Sequence, residues 1–258
     1  RPQKNHQTAK NYFRKHLARG DYHSENRTVQ GCWFGKGAER LGLALASPVT
    51  EDAYHRLCDN LHPLTGEPLT VRHRKVNRRV LYDFVVSAPK SVSIMALTIG
   101  DKRILPAHDE AGRIAMERME RVASARIRKG GARAERSTGE VVGAIFRHEE
   151  SRALDPQLHS HFLFFNATWD GVENRWKALE PSAMFDQIKL YTEVYRSELA
   201  LRLRGMGYAL RASAHGFEIE GVAPELVARF SKRRYAILKE EAKVEKELGH
   251  PISNNGRS

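Results

Sequence analysis

Three histidines in the middle of the chain, His148, His159 and His161, have types and spacing that suit metal chemistry. His159 and His161 stand two apart in Leu158-His159-Ser160-His161-Phe162-Leu163-Phe164-Phe165. In a strand alternate side chains share a face, so both imidazoles project together. His148 follows the strand-like apolar run Val141-Val142-Gly143-Ala144-Ile145-Phe146, and Asp155-Pro156 breaks the chain between the two runs. A tight connection there brings all three imidazoles to one point. Three neutral imidazoles suit Zn, Mn, Fe or Ni, and with no carboxylate in the set a divalent ion keeps its full charge for polarising an anionic substrate. The competing reading is a polar sheet face lined by His159 and His161; the third histidine shifts the balance towards metal. Glu149 and Glu150 alternate around the end of the strand and are not counted as ligands.

Other elements must hold these residues in place. Val80 to Ser87 reads as a buried strand bounded by Ala88-Pro89-Lys90. Asp83 shares a face with Leu81 and Val85, so it needs a partner such as a histidine or an arginine. A carboxylate on the second N–H of a metal-bound imidazole would fix its tautomer, and an unrelated buried ion pair is the alternative. A helical pattern runs from Ile104 through Ala111, Met119, Val122 and Ala125 to Ile127, stopped by Gly130-Gly131, and Arg133 to Gly139 reads as a polar turn. Trp169 to Trp176 reads as a hairpin around Asp170-Gly171, and Thr192 to Arg204 as an amphipathic helix using Val194, Leu199, Leu201 and Leu203. Tyr208 to Arg211 and Gly216 to Ile219 form a second hairpin, followed by a helical region from Pro224 to Leu248. Residues 44–79 read as a loop ending in the basic run Arg72-His73-Arg74-Lys75-Val76-Asn77-Arg78-Arg79, either solvated or bound to phosphates through Arg74, Lys75 and Arg78.

The chain has 258 residues, 41% of them hydrophobic, which is enough for one large domain or two small ones. No apolar run approaches the ~18 residues of a membrane span, and the Arg1-Pro2-Gln3-Lys4 start has no signal-peptide character. Cys32 and Cys58 are too few for a disulfide framework, which fits a reducing cytoplasm. A net charge of +12 asks for a polyanionic partner, as does a metal poised to polarise phosphate. The glycines of Gly31-Cys32-Trp33-Phe34-Gly35-Lys36-Gly37 are not spaced as a Walker motif, so Trp33 is read as structural and Lys36 as a candidate phosphate contact.

His148 with Ser151-Arg152, then Asp155-Pro156-Gln157-Leu158-His159-Ser160-His161 and Asn166, resembles the three-histidine motif of conjugative relaxases of the TrwC/TraI (MobF) type, which are HUH endonucleases that nick one DNA strand. Further matches are Trp33 to Leu43, and Asp83 four residues before Ser87-Ala88-Pro89-Lys90-Ser91-Val92-Ser93. The resemblance covers roughly residues 8–235. It implies that His148, His159 and His161 hold a divalent ion, Mg2+ or Mn2+ first and Zn2+ or Ni2+ as alternatives, with Asp83 beside them as a catalytic residue that helps deprotonate the tyrosine. It also implies nucleophilic tyrosines near the N-terminus. Taken alone, Tyr12 would be read as a packed aromatic; by resemblance it is the first nucleophile and Tyr22 the reserve. Relaxases often carry Tyr-Tyr pairs there, whereas Tyr12-Phe13 and Tyr22-His23 keep one tyrosine each. Arg152 and Lys90 are candidate phosphate contacts; the bland readings are an Arg152–Asp155 pair and a solvated Lys90.

The fold class expected is α+β, a central, mainly antiparallel sheet with flanking helices. A single relaxase domain is read over 1–258, with the palm in 1–220 and a helical appendage in 221–258. The expected partner is single-stranded DNA carrying an origin-of-transfer-like site. The expected setting is the bacterial cytoplasm, with no membrane, a monomeric domain and a C-terminal helicase in the full-length protein. A replication initiator of the HUH group, a hydrolase using activated water, and a DNA-binding module with a structural metal are the alternatives.

Overall fold

A computed structural model describes residues 2–3, 9–10, 30–71, 79–129, 132–214 and 216–248. Its centre is a five-stranded antiparallel sheet built from β1 (Pro2–Gln3), β2 (Cys32–Phe34), β3 (Leu81–Ser87), β6 (Gly143–Glu150) and β7 (Pro156–Phe165), in the order β1-β3-β7-β6-β2. The fold class is α+β. β7 is the middle strand. Its even-numbered residues Leu158, Phe162 and Phe164 enter one apolar core, and Leu163 and Phe165 enter another on the reverse face. Burial on both faces explains why this strand reads as nearly continuous apolar sequence.

Two long helices cover the first face, α4 (Ile104–Glu120) through Ala107, Ala111, Ala115 and Met119, and, after the short α5 (Ser182–Asp186), α6 (Ile188–Gly205) through Tyr191, Tyr195, Leu199 and Leu203. α4 lies close to the sheet: a Cβ on Gly112 would stand 3.2 Å from both Phe162 and Val86. The reverse face is covered by α1 (Lys36–Arg40) and α2 (Glu51–Cys58), which contribute Ala38, Ala53, Tyr54 and Leu57 to the second core around Trp33. Trp33 is buried, in keeping with its structural reading. Between β3 and α4, α3 (Lys90–Ser93) continues as a wider π-type turn to Ile99.

Four readings of the sequence need correcting. The helix expected to reach Ile127 ends at Glu120, and Ser124–Lys129 is strand β4, paired with β5 (Ala132–Ser137) where a polar turn was expected. Ala125 and Ile127 obey a period of two as well as a helical one, and the strand prevails because Ala125 pairs with Leu179 in β10 (Leu179–Glu180). Residues 44–79 are not all loop, because Thr50 caps α2 by accepting from the Ala53 amide at 3.4 Å. Leu201 is exposed rather than part of the α6 stripe, which uses Tyr191 and Tyr195 instead.

The two hairpins form as expected. β8 (Thr168–Asp170) pairs with β9 (Arg175–Lys177), and β11 (Leu210–Ser213) with β12 (Gly216–Ile219). The chain closes with α7 (Pro224–Arg229) and the largely exposed α8 (Lys232–Leu248). Among the described residues no helix is long and apolar enough to cross a membrane.

The buried carboxylate of Glu120 joins the two faces, accepting from the Lys36 amide at 2.8 Å and the Val141 amide at 3.0 Å through one oxygen. Glu120→Ala removes the acceptor of both. The expected loss is about 2–4 kcal/mol of unfolding free energy in urea titrations, with Glu120→Gln recovering part of it through its amide oxygen.

Candidate metal centre

The antiparallel pairing of β6 with β7 sets His148 directly opposite His159, and Phe146 opposite His161. All three imidazoles therefore share one face at one end of the strands. Their ring centroids form a nearly equilateral triangle, 5.3 Å from His148 to His159, 5.4 Å from His148 to His161 and 5.3 Å from His159 to His161. His148 is buried, and the other two are half-buried.

Partners on the outer side of two rings set their tautomers. The Nδ1 of His161 is 2.9 and 3.0 Å from the two carboxylate oxygens of Asp83, reached across the β3–β7 pairing. The Nδ1 of His159 is 2.8 Å from the carbonyl oxygen of Gln157. Carboxylates and carbonyls only accept, so a neutral ring donates from Nδ1 and carries its lone pair on Nε2. Burial is the main reason that the His159 pKa falls to about 4, with the neighbouring His161 and Arg233 pushing the same way. The ring is neutral at physiological pH, as a metal ligand must be.

The connection between the histidine strands is a compact loop. The Ser151 amide donates to the Asp155 carbonyl at 2.9 Å and the Leu154 amide to the Ser151 carbonyl at 2.9 Å, with Leu154 at a φ of 60°. The buried Asp155 side chain accepts from the Lys232 amide at 2.8 Å and lies 3.4 Å from its Nζ. The first turn of α8 is thereby tied to the loop that joins the histidine strands. Arg152 lies in the same loop and is exposed; the ion pairs of Asp155 run to Lys232 rather than to Arg152. Lys90 is half-buried rather than solvated, donates to the Pro156 carbonyl at 2.9 Å and has its pKa lowered by burial.

Lys36 is placed elsewhere. It follows Phe34, which pairs with Gly143, and Gly143 is about 17 Å of strand away from His148. Tyr12, Tyr22, Arg74, Lys75 and Arg78 lie outside the described residues.

Behind the histidines lies a polar group that sequence reading missed. His108 of α4 is fully buried, its Nδ1 2.7 Å from the Tyr195 hydroxyl and its Nε2 2.9 Å from the Ser160 hydroxyl. The available signal was His108 on the apolar stripe of α4 and Ser160 among the inward residues of β7.

The TrwC relaxase family model matches residues 6–257. The chain belongs to this family. It is 36% identical over 216 residues to the multifunctional conjugation protein TraI of Escherichia coli, a match covering 80% of this chain and 12% of that protein. TraI of Escherichia coli strain K12 is 34% identical over 205 residues, covering 75% of this chain and 11% of its own length. The chain thus spans about an eighth of these relatives. Among solved structures, a metal-bound complex of the conjugative relaxase TrwC with OriT DNA superposes with a TM-score of 0.81 at 30% identity, covering 99% of this chain and 86% of that one. A metal-free TrwC–OriT complex gives 0.77 at 32% identity, covering 88% and 80%.

Two histidines of this relaxase-family chain, the buried His108 and the half-buried His159, carry a pH cost of folding. Unfolded, each titrates near 6.5; folded, His159 titrates at about 4 and His108, depressed chiefly by burial, at about 3. The unfolded state therefore binds more protons below pH 6.5, and their stabilisation is complete above that pH and lost as pH falls towards 4 and then 3. Urea titrations of metal-free protein between pH 6.5 and 5 should show stability falling by on the order of 1–3 kcal/mol per pH unit, with a shallower slope in His108→Gln.

Proposed function

We propose that this chain is the nicking module of a conjugative relaxase, a metal-dependent, site- and strand-specific transesterase acting on single-stranded DNA. The observation that carries the reading is the imidazole triangle, with Asp83 behind one ring, in a chain of the TrwC relaxase family.

The triangle suits an ion. With metal–nitrogen bonds of about 2.1 Å and ring centres about 1.2 Å beyond each nitrogen, three imidazoles at tetrahedral angles would stand about 5.4 Å apart. Among the described residues no three His, Cys, Asp or Glu side chains already hold the donor geometry of a formed centre, so the fit is one of ring spacing and tautomer. His148, His159 and His161 would hold the ion. Imidazole donors favour Mn2+, Ni2+ or Zn2+ over Mg2+, while the family resemblance favours Mg2+ or Mn2+. When bound, the ion supplies a Lewis acid that withdraws charge from a non-bridging phosphate oxygen.

The rest falls to the chain's own residues. Tyr12 is the nucleophile: its phenol oxygen gives up its proton and forms a bond to the scissile phosphorus, the bond from phosphorus to the 3′ oxygen breaks, and that oxygen takes up a proton and leaves as a 3′ hydroxyl. The 5′-phosphotyrosyl bond formed conserves the energy of the bond broken, so rejoining is the reverse of the same step and needs no outside energy source. Tyr22 is the second candidate for the same role. Asp83 holds the His161 ring through its Nδ1–H and raises its basicity. Arg152 and Lys90 flank the loop at the site and supply positive charge for the phosphate backbone, while Lys36, Arg74, Lys75 and Arg78 are contacts for more distant phosphates. The DNA would carry an origin-of-transfer-like site. We place the domain in the bacterial cytoplasm as a monomer, with a helicase further along the full-length protein.

Tyr12→Phe should abolish both cleavage of a labelled single strand and the protease-sensitive covalent adduct, while DNA affinity stays within a few-fold. Adduct at undiminished yield would move the role to Tyr22, and cleavage without any adduct in the unmodified protein would indicate hydrolysis by water.

The histidines and Asp83 should separate by degree. His159→Ala and His161→Ala each delete a ligand and should abolish cleavage in a folded protein, because two apolar cores sustain the fold. Asp83→Asn keeps all ligands, so metal affinity or rate should fall by roughly 10–100-fold. Melting curves with and without chelator test this: unfolding on chelation would make the metal structural.

A further inference from the structure

Reversing the sheet at the candidate metal centre exposes an arrangement that the proposed chemistry does not use. In the β6–β7 ladder, Arg147 pairs with Ser160, immediately beside the His148–His159 pair, and both side chains point to the face opposite the histidines. Ser160 is the residue between the two β7 imidazoles. Two consecutive residues of α4 hold this cross-strand pair. His108 meets the Ser160 hydroxyl at 2.9 Å, and Asp109 meets the Arg147 guanidinium at 2.5 Å. Tyr195 of α6 fixes the far side of the His108 ring at 2.7 Å.

The arrangement is costly where an apolar one was available. Ser160 and Tyr195 are buried, His108 is wholly so, and their neighbours in the same core include Leu158, Phe162, Ala111 and Leu199. Apolar residues at these three positions would avoid burying two hydroxyls and an imidazole. What the polar set gives instead is direction. A hydrogen bond fixes strand position along and across the helix, which sliding apolar contacts do not. One turn further along α4, Gly112 permits the close approach to Phe162 and Val86 that brings His108 within reach. The ring stays neutral, with burial the leading cause of a pKa of about 3, so the clamp does not switch near physiological pH.

We propose that His108 and Asp109, backed by Tyr195, are positioning residues for the metal centre: they grip Ser160 and Arg147 from behind the sheet and hold His148, His159 and His161 at ligand spacing. The inference rests on the reading of the three histidines as a metal site. None of the clamp residues touches the ion or the substrate. Their effect is on how far the imidazoles must reorganise when an ion binds, so it is read in metal affinity.

The test measures Mn2+ binding to metal-free protein by calorimetry, beside thermal melting in chelator. Ser160→Ala and His108→Ala should weaken Mn2+ binding by about 10-fold or more, in the range found for outer-shell partners, and His108→Gln should restore part of it. Asp109→Ala, at an exposed position on α4, should fold normally and weaken binding by a smaller factor, which keeps the test informative if the buried variants fail to fold. Leu203→Ala, in the same core but on the last turns of α6, should lower the melting temperature and leave Mn2+ affinity unchanged. Wild-type affinity in the clamp variants, or affinity that follows melting temperature with Leu203→Ala on the same line, overturns the proposal and leaves the metal site standing. Failure of the unmodified protein to bind Mn2+, Ni2+ or Zn2+ overturns both.

Discussion

The register between β6 and β7 is the constraint on which the site depends. Side chains alternate with a period of two, so slipping either strand by one residue would send its imidazoles to the opposite face and break the triangle. Several features hold the register. β3 pairs with β7 over seven successive positions from Leu81↔Phe165 to Ser87↔His159, so β7 is pinned from both sides. Both faces of β7 are buried, and a slip would exchange two differently shaped sets of side chains between two cores. The loop from Ser151 to Asp155 closes with its own hydrogen bonds and absorbs the strain of Leu154 in the left-handed region.

A strand buried on both faces would ordinarily be all apolar, so each polar group that β7 carries needs a partner. His161 has Asp83, His159 has the Gln157 carbonyl, and Ser160 has His108. These partners come from β3, from β7 itself and from α4. The histidine cluster is thus held from its own strand, from the neighbouring strand and through the sheet. Asp83 sits between the buried Leu81 and the exposed Val85 on its strand face, with both carboxylate oxygens within 3.0 Å of the His161 Nδ1.

Much of this was legible in the sequence because short-range patterns carry it. His159 and His161 are two apart in an unmistakable strand, and Asp83 in an apolar strand announced a partner that proves to be His161. Elements with two compatible periods were not legible: Val122, Ala125 and Ile127 extend a helical stripe as readily as they alternate, and only the Ala125–Leu179 pairing with a strand far along the chain decides between them. The His108 group escaped for a related reason. Its members come from α4, β7 and α6, and no local rule links a histidine on one helix stripe to a serine in a strand and a tyrosine on another helix. Lys36 shows the limit of motif proximity, since the chain passes it to the far end of the strands.

At neutral pH His159 is uncharged, and the cations Lys90, Arg152, Lys232 and Arg233 lie on or beside the loop joining the histidine strands, while Asp155 spends its charge on the first turn of α8. Imidazole ligands bring no negative charge to a divalent ion, and the carboxylate of Asp83 reaches it only through the His161 ring, so the ion's charge is under-compensated by its ligands. The missing negative charge is what a phosphodiester would bring under the proposed function. Ion and phosphate then favour each other's binding, and by linkage each raises the other's affinity by the same factor. Built this way, the centre would hold its ion most firmly when the substrate is present, which is when its Lewis acidity is of use.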